Sequence, residues 1–240
     1  MVAPEGSVKI CGIQGVSAID YPGRISSVIF LGGCNFRCPF CHNPDLVLHA
    51  EALPGTELHD VLRTIERRRQ LVDGVVVTGG EPLINGSALL PLLQGLRDLG
   101  LDVKLDTNGY EVGQLSDVLE ARLVDYVAMD VKTSPGKYAT AAGRRLEHSR
   151  ITRAIEIIAA SGVAHEFRTT CVPGLVELED VKIIASLLGP DESFVLQQFR
   201  PSHRVLDPAY ADMRPHPTET MERFAATARP LVSAVSLRGL

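Results

Sequence analysis

GGCNFRCPFCHNP, residues 32–44, places Cys34, Cys38 and Cys41, three of the chain's five cysteines, within eight positions. Thiols so close together are joined as disulfides, bound to a metal or used in redox chemistry. An odd count does not suit a closed disulfide framework. A structural zinc site takes four ligands, usually as two separated pairs. No second pair exists here, although His42, or the distant Cys11 or Cys171, could supply a fourth ligand. An iron–sulfur cluster is the other option and is normally held by four thiolates. Three thiolates would leave one iron open to a substrate or cofactor, as catalytic zinc keeps one open position.

Composition sets the surroundings of these thiols. A chain of 240 residues can build one full-sized core or two small ones. It is 45% hydrophobic and 22% charged, the balance of a globular protein. A net charge of -5 argues against nucleic acid as the main partner, because such proteins carry a basic face. No apolar run approaches the ~18 residues of a membrane span, and the N-terminal MVAPEGSVKI lacks the layout of a signal peptide. The expectation is a cytoplasmic protein whose thiols stay reduced and free to bind metal.

Outward from the cysteines, apolar runs alternate with helical patterns. Strands are predicted at SSVIFL (26–31), GVVVT (74–78), DVKLDT (102–107), DYVAMDVK (125–132), AHEFRTT (164–170) and SFVLQQF (193–199). Several are continuous apolar runs, as in strands buried on both faces. Helices are predicted over ELHDVLRTIERRRQL, SALLPLLQGLRDLG, GQLSDVLEARL, EHSRITRAIEIIAASG and ELEDVKIIASLLG, with a last one over 218–228 and an apolar tail, LVSAVSL. Ile151, Ile155 and Ile158 show the helical spacing. Thr56 is a weak cap for the first helix, and Gly100 and Gly162 stand where helices stop. Six βα units imply a parallel sheet with right-handed crossovers in an α/β fold. With no repeat or linker, a single domain over 1–240 is expected, its core at about 20–202, an extension at 1–19 and a helix and tail at 203–240.

In such folds chemistry gathers where strands run into their βα loops. The first predicted strand leads into the cysteines and the second into Thr78-Gly79-Gly80-Glu81-Pro82. The third ends at Asp106-Thr107-Asn108-Gly109, the fourth at Asp130-Val131-Lys132 and the fifth at Arg168-Thr169-Thr170. Polar and glycine residues crowd one rim. Together they suggest a site.

The spacing of Cys34, Cys38 and Cys41, with Phe40 before the last, resembles the CxxxCxΦC signature of the radical S-adenosylmethionine (radical SAM) enzymes. The resemblance implies an incomplete (β/α)6 barrel and a [4Fe–4S] cluster whose open iron is chelated by S-adenosylmethionine. One electron then cleaves the sulfonium, and the resulting 5′-deoxyadenosyl radical abstracts a hydrogen atom. By the same resemblance Phe40 lies beside the adenine, and the Gly79-Gly80-Glu81 segment meets the SAM amino group. Asp130 and Lys132 address the methionine and ribose, while Arg168 is placed by its position at the end of the fifth strand to reach the SAM carboxylate or a neighbouring acid. Asp106 and Thr107 resemble a segment that, with Asp130, holds a monovalent cation beside SAM. Plain readings stay open beside these: a structural Asp130–Lys132 pair, an ordinary turn at DTNG, and an Arg168 paired to Glu81 or Asp130.

The run GIQGVSAIDYPGRISSVIFLGGCNFRCPFCHNPDLV, with TGGEPL, KLDTNGY, DYVAMDVK, FRTTCVPGL and LQQFRP, is similar to the activating proteins of anaerobic ribonucleoside-triphosphate reductase over most of residues 10–202. The related pyruvate formate-lyase activases carry a DGPGIR-like segment where this chain has Asp20-Tyr21-Pro22-Gly23-Arg24. The resemblance implies a glycyl radical enzyme as partner, the anaerobic reductase in particular, and a flavodoxin or ferredoxin as electron donor. Two rivals remain: a small-molecule radical SAM enzyme such as 7-carboxy-7-deazaguanine synthase, and a non-catalytic metal or electron-transfer protein.

Overall fold

The computed structural model describes residues 8–240, so the first seven residues of the expected N-terminal extension lie outside the described residues. The chain divides into two compact units. The first holds the described residues through Asn35, Asp45–Val127 and Ser161–Ala164; the second holds Phe36–Pro44, Ala128–Ala160 and His165–Leu240.

In the first unit, β1 (Ile10–Ser17) runs antiparallel to β2 (Ser26–Leu31), which pairs in parallel with β3 (Gly74–Gly79), and β3 with β4 (Asp102–Thr107). The side chains of Val75, Val76 and Val77 are all fully buried, as expected for a parallel strand covered on both faces. The helices are α1 (Pro44–Leu48, most of it in this unit), α2 (Leu58–Glu66), α3 (Leu90–Asp98) and α4 (Val112–Glu120). Val61 and Ile65, four apart on α2, are its buried stripe. Each such side chain contributes roughly 1.5–3 kcal/mol by leaving water.

Next along the chain comes β5 (Tyr126–Asp130). The second unit continues with α5 (Tyr138–Ala142), α6 (His148–Ala160), β6 (Ala164–Cys171), α7 (Leu178–Leu188), β7 (Ser193–Gln198), α8 (Thr218–Ala228) and β8 (Ala234–Arg238). Strands β6, β7 and β8 pair in parallel in that order. Helix α6 buries Ile151, Ala154, Ile155 and Ile158, the predicted spacing. No described helix is long and apolar enough to cross a membrane.

Six elements differ from expectation. The tail LVSAVSL contributes β8 rather than a loose end. Its place is secured by Arg238, whose two terminal nitrogens donate to the buried Glu166 carboxylate at 3.1 and 3.0 Å. Strand β1 and helices α1 and α5 were not expected; α1 and α5 have five residues each, too few to show a period. Thr56 does not cap α2. The N-cap is Glu57, and the Thr56 amide instead donates to the Ile10 carbonyl at 2.9 Å, tying that loop to β1. Strand β5 stops at Asp130, two residues short of the predicted end. The Lys132 amide donates to the Tyr138 hydroxyl at 3.3 Å, and the Thr133 hydroxyl donates to the Leu175 carbonyl, so the chain turns away there.

Candidate functional site

In the first unit three loops at the strand ends are tied together. Gly79 has φ 130°, a conformation few residues other than glycine adopt, and a side chain there would meet the Leu31 carbonyl oxygen at 2.2 Å. At Gly80 a Cβ would fall 1.8 Å from the Gly33 carbonyl oxygen and 3.3 Å from the Cys34 Cβ. The two glycines therefore let the TGGEP backbone lie directly on the segment that carries Cys34. The Glu81 amide completes the join by donating to the Gly33 carbonyl at 2.8 Å.

The Glu81 side chain binds the other loop. It is buried and accepts from the Thr107 hydroxyl at 2.7 Å, the Asn108 amide at 2.6 Å and the Leu83 amide at 3.1 Å. Buried carboxylates need such donors to hold their charge. Asn108 extends the join, its side-chain amide donating to the Asn35 side-chain oxygen at 2.7 Å, while Asn35 donates to Glu111 at 3.0 Å. Asn35 and Glu111 were not expected to take part, although Asn35 sits inside the cysteine motif. Asp106 accepts from the ammonium of Lys104, a lysine whose side chain is 1% exposed. DTNG is thus more than a turn: its Asp, Thr and Asn each have a distinct partner.

The second unit holds Cys38 and Cys41, and its polar residues are charged. The Cys41 amide donates to the Cys38 carbonyl at 3.0 Å, making the turn between the two thiols. The Arg37 amide donates to the Ala142 carbonyl at 2.8 Å, and a Cβ on Gly143 would meet the Arg37 carbonyl oxygen at 2.0 Å. Helix α5 therefore backs this loop, and glycine is required where it does. From another segment the amides of Leu206 and Asp207 donate to the carbonyls of Cys41 at 3.1 Å and Pro39 at 2.8 Å. Residues after Arg200, uninformative in sequence, thus help shape the cysteine loop. Phe40 is buried, and the exposed His42 ring meets Phe199 edge-on at 6.4 Å.

Asp130 accepts from Arg168 Nε at 2.8 Å and from Lys132 Nζ at 3.0 Å. The plain Asp130–Lys132 pair and the Arg168–Asp130 pair are therefore both present. Burial pushes the Asp130 pKa up, but the Arg168 and Lys132 cations outweigh it and hold the carboxyl well below its ordinary range. Burial alone would lower the Lys132 pKa; Asp130 outweighs that and raises it. Tyr138, missed in sequence, is buried with its ring edge-on to Phe36 at 6.5 Å and its hydroxyl on the Lys132 amide. Burial raises the Cys38 thiol to about 11, with Lys132 opposing. The free thiol is then protonated near neutral pH, and a metal binding there must displace that proton.

All five cysteines are free thiols. Among the described residues no group of three or more His, Cys, Asp or Glu side chains is already gathered as a metal site.

The sequence profile of the Radical SAM superfamily matches residues 28–188. A proposed glycyl-radical enzyme activating enzyme of Methanocaldococcus jannaschii is 34% identical over 196 residues, 80% of each chain. The chain belongs to the radical SAM enzymes, in the glycyl-radical activating enzyme family. The pyruvate formate-lyase-activating enzyme of Clostridium pasteurianum is 30% identical over 190 residues, 75% of this chain and 76% of that one. The crystal structure of Streptococcus suis SuiB bound to S-adenosylmethionine shares the fold, with a TM-score of 0.66 at 14% identity. It matches 86% of this chain, which spans about half of SuiB at 48%.

Radical SAM enzymes use a [4Fe–4S] cluster and S-adenosylmethionine. This chain offers three thiols of the kind that holds such a cluster. Cys34, Cys38 and Cys41 are free of disulfides, and the glycine strip Gly79-Gly80 keeps side chains off the backbone beside Cys34. The α/β fold with a parallel sheet is the one expected from the sequence.

Proposed function

We propose that this radical SAM enzyme generates a glycyl radical on anaerobic ribonucleoside-triphosphate reductase, in the cytoplasm, with a flavodoxin or ferredoxin as electron donor. The observation that carries the reading is the cysteine motif set in a chain that aligns with an activating enzyme, the archaeal relative, over 80% of each chain. Tyr21 supports the reductase over pyruvate formate-lyase as partner, because it stands where the pyruvate formate-lyase activases carry a glycine. The tyrosine is buried against Val28 and Val76, with Phe30 and Tyr126 packed around it. It distinguishes the branches as a core residue.

The proposed roles follow from the two charge environments. Cys34, Cys38 and Cys41 would hold the cluster, and a bound cluster with S-adenosylmethionine supplies reductive sulfonium cleavage and hydrogen-atom abstraction. Gly79 and Gly80 seat this backbone against the Leu31–Gly33 segment, where its carbonyls would meet a ligand's ammonium group, and Glu81 acts from behind by fixing that backbone. Asp130, Lys132 and Arg168 carry a net charge of one positive, suited to a carboxylate with a neighbouring polar group. Phe40 offers a flat apolar face for an adenine.

The test is anaerobic reconstitution with iron and sulfide, followed by dithionite, S-adenosylmethionine and, in parallel, anaerobic ribonucleotide reductase or pyruvate formate-lyase. Absorbance near about 400 nm, 5′-deoxyadenosine, and a glycyl radical signal with the reductase alone are expected. A signal only with pyruvate formate-lyase would reassign the partner. No 5′-deoxyadenosine in either mixture would reject the activity.

A further inference from the structure

Phe36–Pro44, which carries Cys38 and Cys41, belongs to the same unit as Ala128–Ala160. Within that unit Arg37, the residue before Cys38, is exposed, and the end of α5 lies on its backbone. The Arg37 amide donates to the Ala142 carbonyl at 2.8 Å, and a Cβ on Gly143 would stand 3.0 Å from the Arg37 Cβ. The next two residues, Arg144 and Arg145, are both exposed, and Arg150 follows in the first turn of α6. Arg37 and residues 143–150 together hold four arginines and one glutamate, Glu147, an excess of three positive charges in a chain of net charge -5. The start of a helix favours acidic side chains, yet α6 has none in its first turn, only Glu147 just before it. Helix stability does not account for these arginines.

Two observations say what kind of molecule fits them. Among the described residues, none of the exposed large hydrophobic side chains falls in 36–44 or 143–150. A long-lived interface has an apolar core, whereas electron-transfer encounters are small and guided by charge. The arginines also gather at the C-terminal end of α5, while Tyr138, at its first residue, carries the hydroxyl that meets the Lys132 amide. A partner on the arginines therefore leaves the Lys132 end of α5 uncovered.

We propose that Arg37, Arg144, Arg145 and Arg150 form the docking surface for a small acidic electron-transfer protein, which delivers one electron to the cluster that Cys38 helps to hold. The donor is oxidised by one electron, the cluster is reduced by one, and no atom changes hands. Arg37 adjoins Cys38 in the chain, so the donor is seated beside a cluster ligand. The inference rests on the reading above that a flavodoxin or ferredoxin supplies the electron.

The experiment uses the reconstituted holoprotein and an acidic flavodoxin carrying a fluorescent label. Anisotropy follows their association at low and high sodium chloride. Wild-type affinity should fall with salt, and Arg144→Glu/Arg145→Glu should bind about tenfold or more weakly at low salt. Arg144→Gln/Arg145→Gln should lie between. Glutamate suits the start of α6, so the charge reversal should not unfold it. Both variants should keep wild-type 5′-deoxyadenosine formation with dithionite, a small reductant that needs no docking, and should slow with reduced flavodoxin. Affinity of the reversed variant within about twofold of wild type, or no salt dependence, would overturn the proposal. So would a variant that binds flavodoxin normally and loses only glycyl radical formation on anaerobic ribonucleotide reductase, because the surface would then belong to that partner. No 5′-deoxyadenosine from the wild type with dithionite would count against the radical SAM activity instead, and anisotropy would still decide the docking surface.

Discussion

Glu81 in the first unit and Asp130 in the second are held in opposite ways. In the first, Glu81 is surrounded by neutral donors, an amide on each oxygen and the Thr107 hydroxyl, and its work is to hold three loops in register. In the second, Asp130 is surrounded by full charges, Arg168 and Lys132, with a positive remainder. Neutral donors fix a backbone, because each hydrogen bond specifies a direction and a length. Charges fix an affinity, because they set which ligand group is welcome. Glu81 thus serves geometry and Asp130 electrostatics, and substitutions can separate the two.

The largest effect is expected at the three thiols of the cysteine motif. Cys34→Ala, Cys38→Ala or Cys41→Ala should each abolish the intact cluster, seen as loss of iron and of visible absorbance after anaerobic reconstitution. A variant with full iron content and unchanged colour would remove that cysteine from the ligand set.

Asp130→Asn tests the charged side. It should keep the cluster but weaken S-adenosylmethionine binding by about tenfold, the loss of one charge-assisted interaction. It should also change the acid response. The folded Asp130 pKa lies below its ordinary 3.8, so its pairing stabilises the fold above that pH and the contribution is lost as pH falls further. Denaturant unfolding from pH 7 downward should show wild-type stability declining below about pH 3.8 more steeply than in Asp130→Asn. Parallel curves together with unchanged affinity would contradict its assigned role.

Glu81→Gln tests the geometric side. The amide keeps the shape but turns one acceptor into a donor, facing the Thr107 hydroxyl or a backbone amide. A loss of roughly 1–3 kcal/mol in urea unfolding is expected for a buried group left without its partner, with no loss of the acid response that Asp130→Asn removes. If Glu81→Gln instead leaves stability intact and weakens only S-adenosylmethionine binding, Glu81 is a ligand and not a brace.

The smallest effects belong to the two remaining cysteines. Cys171 is fully buried and its thiol is pushed up to about 12 by burial, while Cys11 is partly buried and raised in the same direction for the same reason. Cys11→Ser and Cys171→Ser should both spare cluster formation. Cys171→Ser alone should lose about 1 kcal/mol for placing a hydroxyl in an apolar site. Failure of either to take up iron would bring a fourth thiol into the ligand question.

Much of this was legible in the residues. DVKLDT and SSVIFL form strands over the predicted bounds, and the helix over 218–228 begins and ends where its spacing placed it. Each of these segments is long enough for its period to show. The shorter α1, α5 and β8 were not legible, because five residues carry no clear period and their formation depends on distant partners. Strand β8 exists through β7 and the Glu166–Arg238 ion pair, 72 residues apart in the chain. The site divides the same way. The cysteines, the GGE segment, and Asp130 with Lys132 could be named in advance because their chemistry needs fixed local spacings. Tyr138, Asn35 and Lys104 could not be assigned, because nothing local marks a tyrosine, an asparagine or a lysine as buried.

What the amino-acid order determined alone is the chemistry on offer: three thiols spaced for one cluster, a glycine pair, and an acid with a base two residues on. Spacing along the chain is a covalent fact, and it holds before any folding. Tertiary structure decided how each charge is spent. Glu81 faces neutral donors, Asp130 faces two cations, and Asp106 faces a lysine from its own strand. Burial and pairing set the energy of a charge, and both are properties of the folded chain.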